Sequence, residues 1–215
     1  FDIHLLLINN SGTLHSFLKK NIKTTSLNIK KTRYALFPLI KQIKKINPDI
    51  IFSTLQRMNL LVLIASFFIS KKIKIFVREP TMPSLFIKSK NTLYLYLIIK
   101  LYPRAFMVIA QSHEMKQDII KNYNIVKNKV LVINNPIDKD IINKMSNVNN
   151  KSIFQNQKIN IVASGNINKY KDYGMLINAF KLVIEKNDSF HLYILGRDEK
   201  DGLKEDLEEL IIELN

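Results

Sequence analysis

Short runs of β-branched and aliphatic residues recur along the chain, each followed by a loop and then by apolar residues at helical spacing. This alternation leaves few folds open: it predicts an α/β protein built of βαβ units, with a parallel sheet covered on both faces. A strand is expected at 2–8, then a turn at 9–12 and a short basic stretch. A helix follows at 34–46, with Lys41, Lys44 and Lys45 outward and Pro48 closing it. Strands at 49–53, 74–77, 106–110 and 130–133 are separated by a buried helix at 58–68, a helix at 93–101 and one running from Ser112 as cap to about Tyr123. Each strand leads into a loop and then a helix, so the carboxyl ends should share one edge, where open parallel sheets bind ligands.

The pattern weakens into an Asn-rich stretch at 138–157, ending in MSNVNNKSIFQNQ, which reads as a linker. A second αβ unit follows: strand 160–163, turn 164–171, helix 173–185, strand 191–195, a turn at Gly196 and a helix to Leu214. The 215 residues suffice for one good core or two small ones. The chain opens on Phe1 in an apolar run and stops at Asn215 straight after a helical pattern, so a fragment is expected.

Composition removes several classes. With no Cys, a disulfide scaffold and a Cys-ligated metal are excluded, and no clustered His/Asp spacing suggests another metal site. At 47% apolar and 24% charged residues, disorder is excluded too. No apolar run reaches the ~18–20 residues of a membrane span. Charge is uneven: residues 1–137 hold 22 Lys+Arg against 5 Asp+Glu, and residues 138–215 hold 11 against 13. A +17 surface attracts phosphates, anionic lipid headgroups or nucleic acid.

The stretch IVASGNINKYKDYGMLINAF, 161–180, combines a buried strand, Ser164 and Gly165, a polar loop bearing Lys169 and Lys171, and a helix opening at Asp172. Such a loop aims backbone N–H groups and an ammonium at one point, which suits a diphosphate; an ordinary αβ loop with exposed lysines is the alternative. Arg78 and Glu79 end a strand at the expected ligand edge. They read either as acceptor contacts or as a mutual surface pair. Ser112 reads as a helix cap and His113 as a helix-surface residue, and His4, His15 and His191 receive no role. Neither a Gly-x-x-x-x-Gly-Lys-Ser/Thr nor a Gly-x-Gly-x-x-Gly is present, which disfavours phosphate-loop hydrolases and dinucleotide oxidoreductases.

The 161–180 stretch resembles the opening of the second domain in family 4 glycosyltransferases, with Gly165, Lys171, Asp172 and the LINAF of 176–180 in the matching places. KINPDIIFSTL, NLLVLIA, KIKIFVREP, LYPRAFMVIAQS and KVLVINNPID agree with that family in order and spacing, the last placing Asn135, Pro136 and Asp138 at its interdomain segment. The resemblance implies the GT-B architecture of two Rossmann-like domains facing a cleft. Residues 1–137 would be the acceptor-side domain without its first strand, 138–157 the linker, and 158–215 the start of a truncated nucleotide-sugar domain. It further implies transfer of a sugar from a nucleotide-sugar donor to a glycan or lipid-linked acceptor in cell-surface polysaccharide or glycolipid synthesis, with retention, without a metal and without a cofactor beyond the donor itself.

By the same resemblance, Gly165, Asn166 and Lys171 would hold the donor diphosphate, Lys171 stabilising charge on the leaving group, and Arg78 and Glu79 would face the acceptor. This sequence departs from the family in having Asn166 where an Arg is usual and Pro80 where a His commonly follows the Arg-Glu pair. The family's paired glutamates would lie beyond Asn215; Glu205 and Glu213 share their spacing but belong to an acidic amphipathic helix. The +17 half suits a protein resting on an anionic membrane at the cytoplasmic face. No nucleic-acid partner is expected, because most Tyr and Phe fall inside apolar runs rather than among the basic residues. A basic nucleic-acid-binding α/β protein and an inactive truncated relative are the competing readings, and the 215 residues alone are expected to be inactive.

Overall fold

The computed structural model describes residues 1–10, 18, 21–87, 92–147, 154 and 157–214. The chain divides into two compact units, Phe1–Ile137 and Asp138–Asn215.

In the first unit, β1 (His4–Leu7) pairs in parallel with β2 (Lys23–Ser26), His4 opposite Lys23 and Leu7 opposite Ser26. The sequence reading assigned no strand to KTTS, a short run half exposed to solvent and so without an apolar signature. The expected turn at 9–12 falls partly outside the described residues. A 3-10 turn at Thr32–Tyr34 leads into α1 (Leu36–Ile46), whose Leu39, Ile40 and Ile43 are buried at helical spacing while Lys41, Lys44 and Lys45 point out or aside. Asn47, left-handed at φ 46°, ends it before Pro48.

A four-stranded parallel sheet follows, β3 (Ile50–Thr54), β4 (Lys74–Arg78), β5 (Met107–Ala110) and β6 (Val130–Val132), adjacent in chain order. Phe52 faces Phe76, Val77 faces Val108 and Val108 faces Val130. The connections are helical: α2 (Gln56–Ala65) packs on β3 and β4, α4 (Thr92–Leu101) on α2, and α5 (His113–Tyr123) on β5 and β6. Between β4 and α4 lies a short helix, α3 (Pro83–Ile87), in a stretch read as loop. The Ser112 hydroxyl accepts the Met115 N–H at 3.1 Å and starts α5 as expected.

One face of this sheet is closed, with Val77, Val108 and Ala110 fully buried against Leu63, Ile98 and Ile119. The other is closed only in part: Ile109 is buried there, but Ile50, Phe52 and Leu131 are 51, 59 and 42% exposed. The expectation of cover on both faces therefore holds for one, because the helices after β3 and β5 pack on the same side among the described residues.

In the second unit, α6 (Lys139–Ser146) occupies the first half of the segment read as linker. Its cap is Asp138, whose carboxylate accepts the Ile141 N–H at 3.0 Å. No α6 side chain is buried, so the polar sequence around it masked a helix held by its own cap. β7 (Ile159–Ser164) and β8 (Phe190–Leu195) pair in parallel, Ser164 opposite Leu195, and a bridge from Ile167 to Asp198 prolongs the ladder. α7 (Tyr173–Ile184) and α8 (Leu203–Leu214) cover one side, and Tyr173, Ile177 and Leu207 form the small core. No described helix is long and apolar enough to cross a membrane.

Candidate functional site

Parallel topology brings the carboxyl ends of β3 to β6 to one edge of the first unit, and a continuous polar network lies there. Arg78, the last residue of β4, donates to the Thr54 hydroxyl at the end of β3 (3.2 Å) and to the Asn135 side-chain carbonyl beyond β6. Asn135 in turn donates to the Gln111 side chain beyond β5 (2.9 Å). Gln111 donates to the Glu79 backbone carbonyl (3.0 Å) and accepts the Asn134 amide on its own backbone carbonyl (2.9 Å). Four strand ends are thus tied by side-chain amides around one guanidinium. Arg78 holds only neutral acceptors there, so its charge is uncompensated by a carboxylate among the described residues.

Glu79, next in sequence, is not at the surface. It is 0% exposed, and its carboxylate accepts the Tyr102 hydroxyl at 2.6 Å. Tyr102 and Asn59 are also fully buried, and Asn59 donates to Tyr102 (3.2 Å) and to the Arg78 backbone carbonyl (2.9 Å). Burial raises the Glu79 carboxyl to about 7, against the lowering effect of the Tyr102 hydrogen bond. Burial likewise pushes the Tyr102 hydroxyl upward, reinforced by the neighbouring Glu79. The alternative of a mutual Arg78–Glu79 surface pair is therefore overturned. Of the two residues expected to face an acceptor, Arg78 keeps its guanidinium at the strand-end surface, whereas Glu79 is buried beneath it.

In the second unit, β7 ends at Ser164 and the chain passes Gly165 and Asn166 into a 3-10 turn, Lys169–Lys171. Gly165 N–H donates to the Leu195 carbonyl (2.9 Å) and its own carbonyl accepts the Tyr173 hydroxyl (3.0 Å). A Cβ at Gly196 would collide with the Gly165 carbonyl oxygen, so the β7 and β8 ends close up only because Gly196 has none. Asp172, left-handed at φ 48°, caps α7 by accepting the Met175 N–H at 3.3 Å. That kink folds Lys171 back over the strand end: its Cε lies 2.9 Å from where a Gly165 Cβ would stand. Lys171 is exposed and has no acidic partner among the described residues.

The structure thus brings Gly165 and Lys171 together, as the loop reading required. Asn166 is close in sequence but committed elsewhere, donating to Glu199 at 3.3 Å, a carboxylate that Asn168 shares at 3.4 Å. Lys169 shares the 3-10 turn with Lys171. Glu205 lies on α8, the acidic helix expected to carry it. Sequence reading missed Thr54, Gln111, Asn59 and Tyr102. An Asn inside the apolar run NLLVLIA was the one available signal, since a buried amide requires partners.

The described residues thus form two parallel αβ units, one with a guanidinium at its strand ends and one with a lysine folded over a glycine loop. Solved structures agree on the fold. HepE of Anabaena, determined with UDP and glucose, superposes with a TM-score of 0.69 at 18% identity, over 98% of this chain and 58% of that one. The lipopolysaccharide outer core galactosyltransferase WaaB gives 0.61 at 17%, over 96% and 53%. The model of Glycosyltransferase Family 4 matches residues 16–141, more than half of the chain, and the chain belongs to that family.

Among curated relatives, the chain is 28% identical over its full length to an N-acetylgalactosamine-N,N'-diacetylbacillosaminyl-diphospho-undecaprenol 4-alpha-N-acetylgalactosaminyltransferase of Campylobacter jejuni, of which it covers 59%. It is 29% identical over 83% of its length to an uncharacterized glycosyltransferase of Methanocaldococcus jannaschii, of which it covers 46%. The chain therefore spans about half the length of these relatives.

Proposed function

We propose that the chain forms the acceptor-side domain and the first part of the donor-side domain of a retaining glycosyltransferase, moving a sugar from a nucleotide diphosphate to a diphosphate-linked lipid or glycan in cell-surface glycan assembly. Family membership supports sugar transfer. The name of the Campylobacter jejuni relative, whose acceptor is a diphospho-undecaprenol glycan, supports the acceptor class. A lipid-borne acceptor and a +17 first half together favour work at the inner, anionic membrane face.

The observation that carries the donor side is the exposed Lys171 ammonium folded over Gly165 without a carboxylate among the described residues to neutralise it. A cation so placed would bind the donor diphosphate and stabilise the negative charge that grows on it as the glycosidic bond breaks. On the acceptor side, Arg78 would orient a hydroxyl or phosphate, held in place by Thr54 and Asn135. Calorimetric titration of the chain with a panel of nucleotide sugars tests the donor side. Lys171→Ala is expected to weaken binding at least tenfold with its melting temperature unchanged, and equal affinity would remove Lys171 from the site.

A further inference from the structure

A cavity of about 550 Å³ opens in the first unit, lined by none of the side chains of the Arg78 network, and four cations, Lys30, Lys31, Arg33 and Arg57, line it. Topology gathers them: Lys30, Lys31 and Arg33 follow the carboxyl end of β2, and Arg57 follows that of β3 in the first turn of α2. Leu55, between Thr54 and that turn, has φ 73° and ψ 127°, a conformation that bulky side chains avoid and that sends α2 off sharply with Arg57 in its opening turn. No carboxylate lines the cavity, and none of the four cations has an ion-pair partner among the described residues. Like charges crowded over one hollow repel one another, and an anion between them turns that repulsion into attraction.

The floor has a different chemistry. Leu60, Leu61 and Ile64 of α2 form it, and Tyr94 of α4 closes a side. Burial raises the Tyr94 hydroxyl while the nearby Arg57 charge lowers it, so phenol and guanidinium face one space. A polyphosphate alone would gain nothing from an aliphatic floor. A diphosphate ester of an apolar alcohol would use both, its charges on the rim and the first carbons of its chain on α2. We propose that this cavity seats the diphosphate and adjoining hydrocarbon of a lipid-linked acceptor. This rests on the reading of the chain as the acceptor side of a transferase.

The chain is titrated with inorganic pyrophosphate, farnesyl diphosphate and farnesol, at low and at physiological salt. Binding in the order farnesyl diphosphate, then pyrophosphate, with none for farnesol, is expected, the first two weakening as salt rises. The triple variant Lys31→Gln, Arg33→Gln, Arg57→Gln should lose at least tenfold in affinity for farnesyl diphosphate. Its melting temperature should be unchanged or raised, because the three side chains are exposed and mutually repulsive. Equal affinity in the variant, or no preference for the farnesyl ester, overturns the proposal. So does capture by anionic phospholipid vesicles with no binding of farnesyl diphosphate, which would make the cavity part of a headgroup surface. Nucleotide-sugar binding without charge-dependent farnesyl diphosphate binding sinks the cavity and spares the transferase reading. Charge-dependent farnesyl diphosphate binding with no nucleotide-sugar binding leaves an isoprenoid diphosphate site and overturns its acceptor role.

Discussion

Glu79 and the two loop glycines set the terms at the scale of single residues. A carboxyl at about 7 in the folded chain and 4.5 unfolded binds more protons folded than unfolded between those values, so stability falls as pH rises through that window. The loss is complete above about pH 7 and amounts to about 3 kcal/mol. Glu79→Gln keeps an acceptor for Tyr102 and removes the charge. Melting temperatures at pH 5 and pH 8 should therefore differ less in the variant, and an unaltered difference would show that Glu79 titrates elsewhere. The glycines make opposite predictions. Gly196→Ala sets a methyl against a backbone carbonyl that cannot yield, at a cost of roughly 2–3 kcal/mol. Gly165→Ala meets the flexible end of Lys171 and stands 3.1 Å from the Tyr173 hydroxyl, so it should cost less than Gly196→Ala, about 1 kcal/mol, while displacing the ammonium and weakening nucleotide-sugar binding. Urea denaturation alongside calorimetric titration separates the two effects.

Elements carry their own strain and their own stops. Asn47 and Asn124 end α1 and α5 in the left-handed region, where a short amide side chain is tolerated. Leu55, between β3 and α2, also has a positive φ (73°) but at ψ 127°, outside the left-handed helical region, with a side chain unsuited to it and 60% exposed. Such strain costs of order 1–3 kcal/mol and persists where neighbours over-determine the turn, here the Arg78 bond to Thr54 on one side and the buried α2 on the other. Leu55→Gly is expected to raise the melting temperature, since strain is relieved and little buried surface is lost. A fall by several degrees would mean that the Leu55 side chain holds the turn. Helix α2 repays its awkward start by burying nearly every side from Asn59 to Ala65, and so supplies both the cover of the sheet and the floor of the cationic cavity.

Over the whole molecule, the two units differ in how much they bury. The first packs a core from Ala35 to Val130 around four strands, while the second has Tyr173, Ile177 and Leu207 beneath two. Backbone amides of β7 and β8 should exchange with solvent faster than those of β4 and β5, and equal protection would contradict the separation of the units. Most of the strands and helices in their order, the parallel class and the Gly165–Lys171 loop were legible in the sequence. Periodicity and turn chemistry are local, and an ammonium six residues past a glycine is brought over it by one capped turn. β2 and α6 escaped because each lacks a buried face to imprint a pattern. Glu79 reads as an acceptor contact or a surface partner of Arg78, yet adjacent residues of an extended segment point to opposite faces. Which of those faces meets Tyr102 and Asn59 depends on residues 20 and more positions away. The same holds for the four cations of the cavity: their charges stand in the sequence, but only the packing of the Thr32–Tyr34 turn against α2 makes them neighbours.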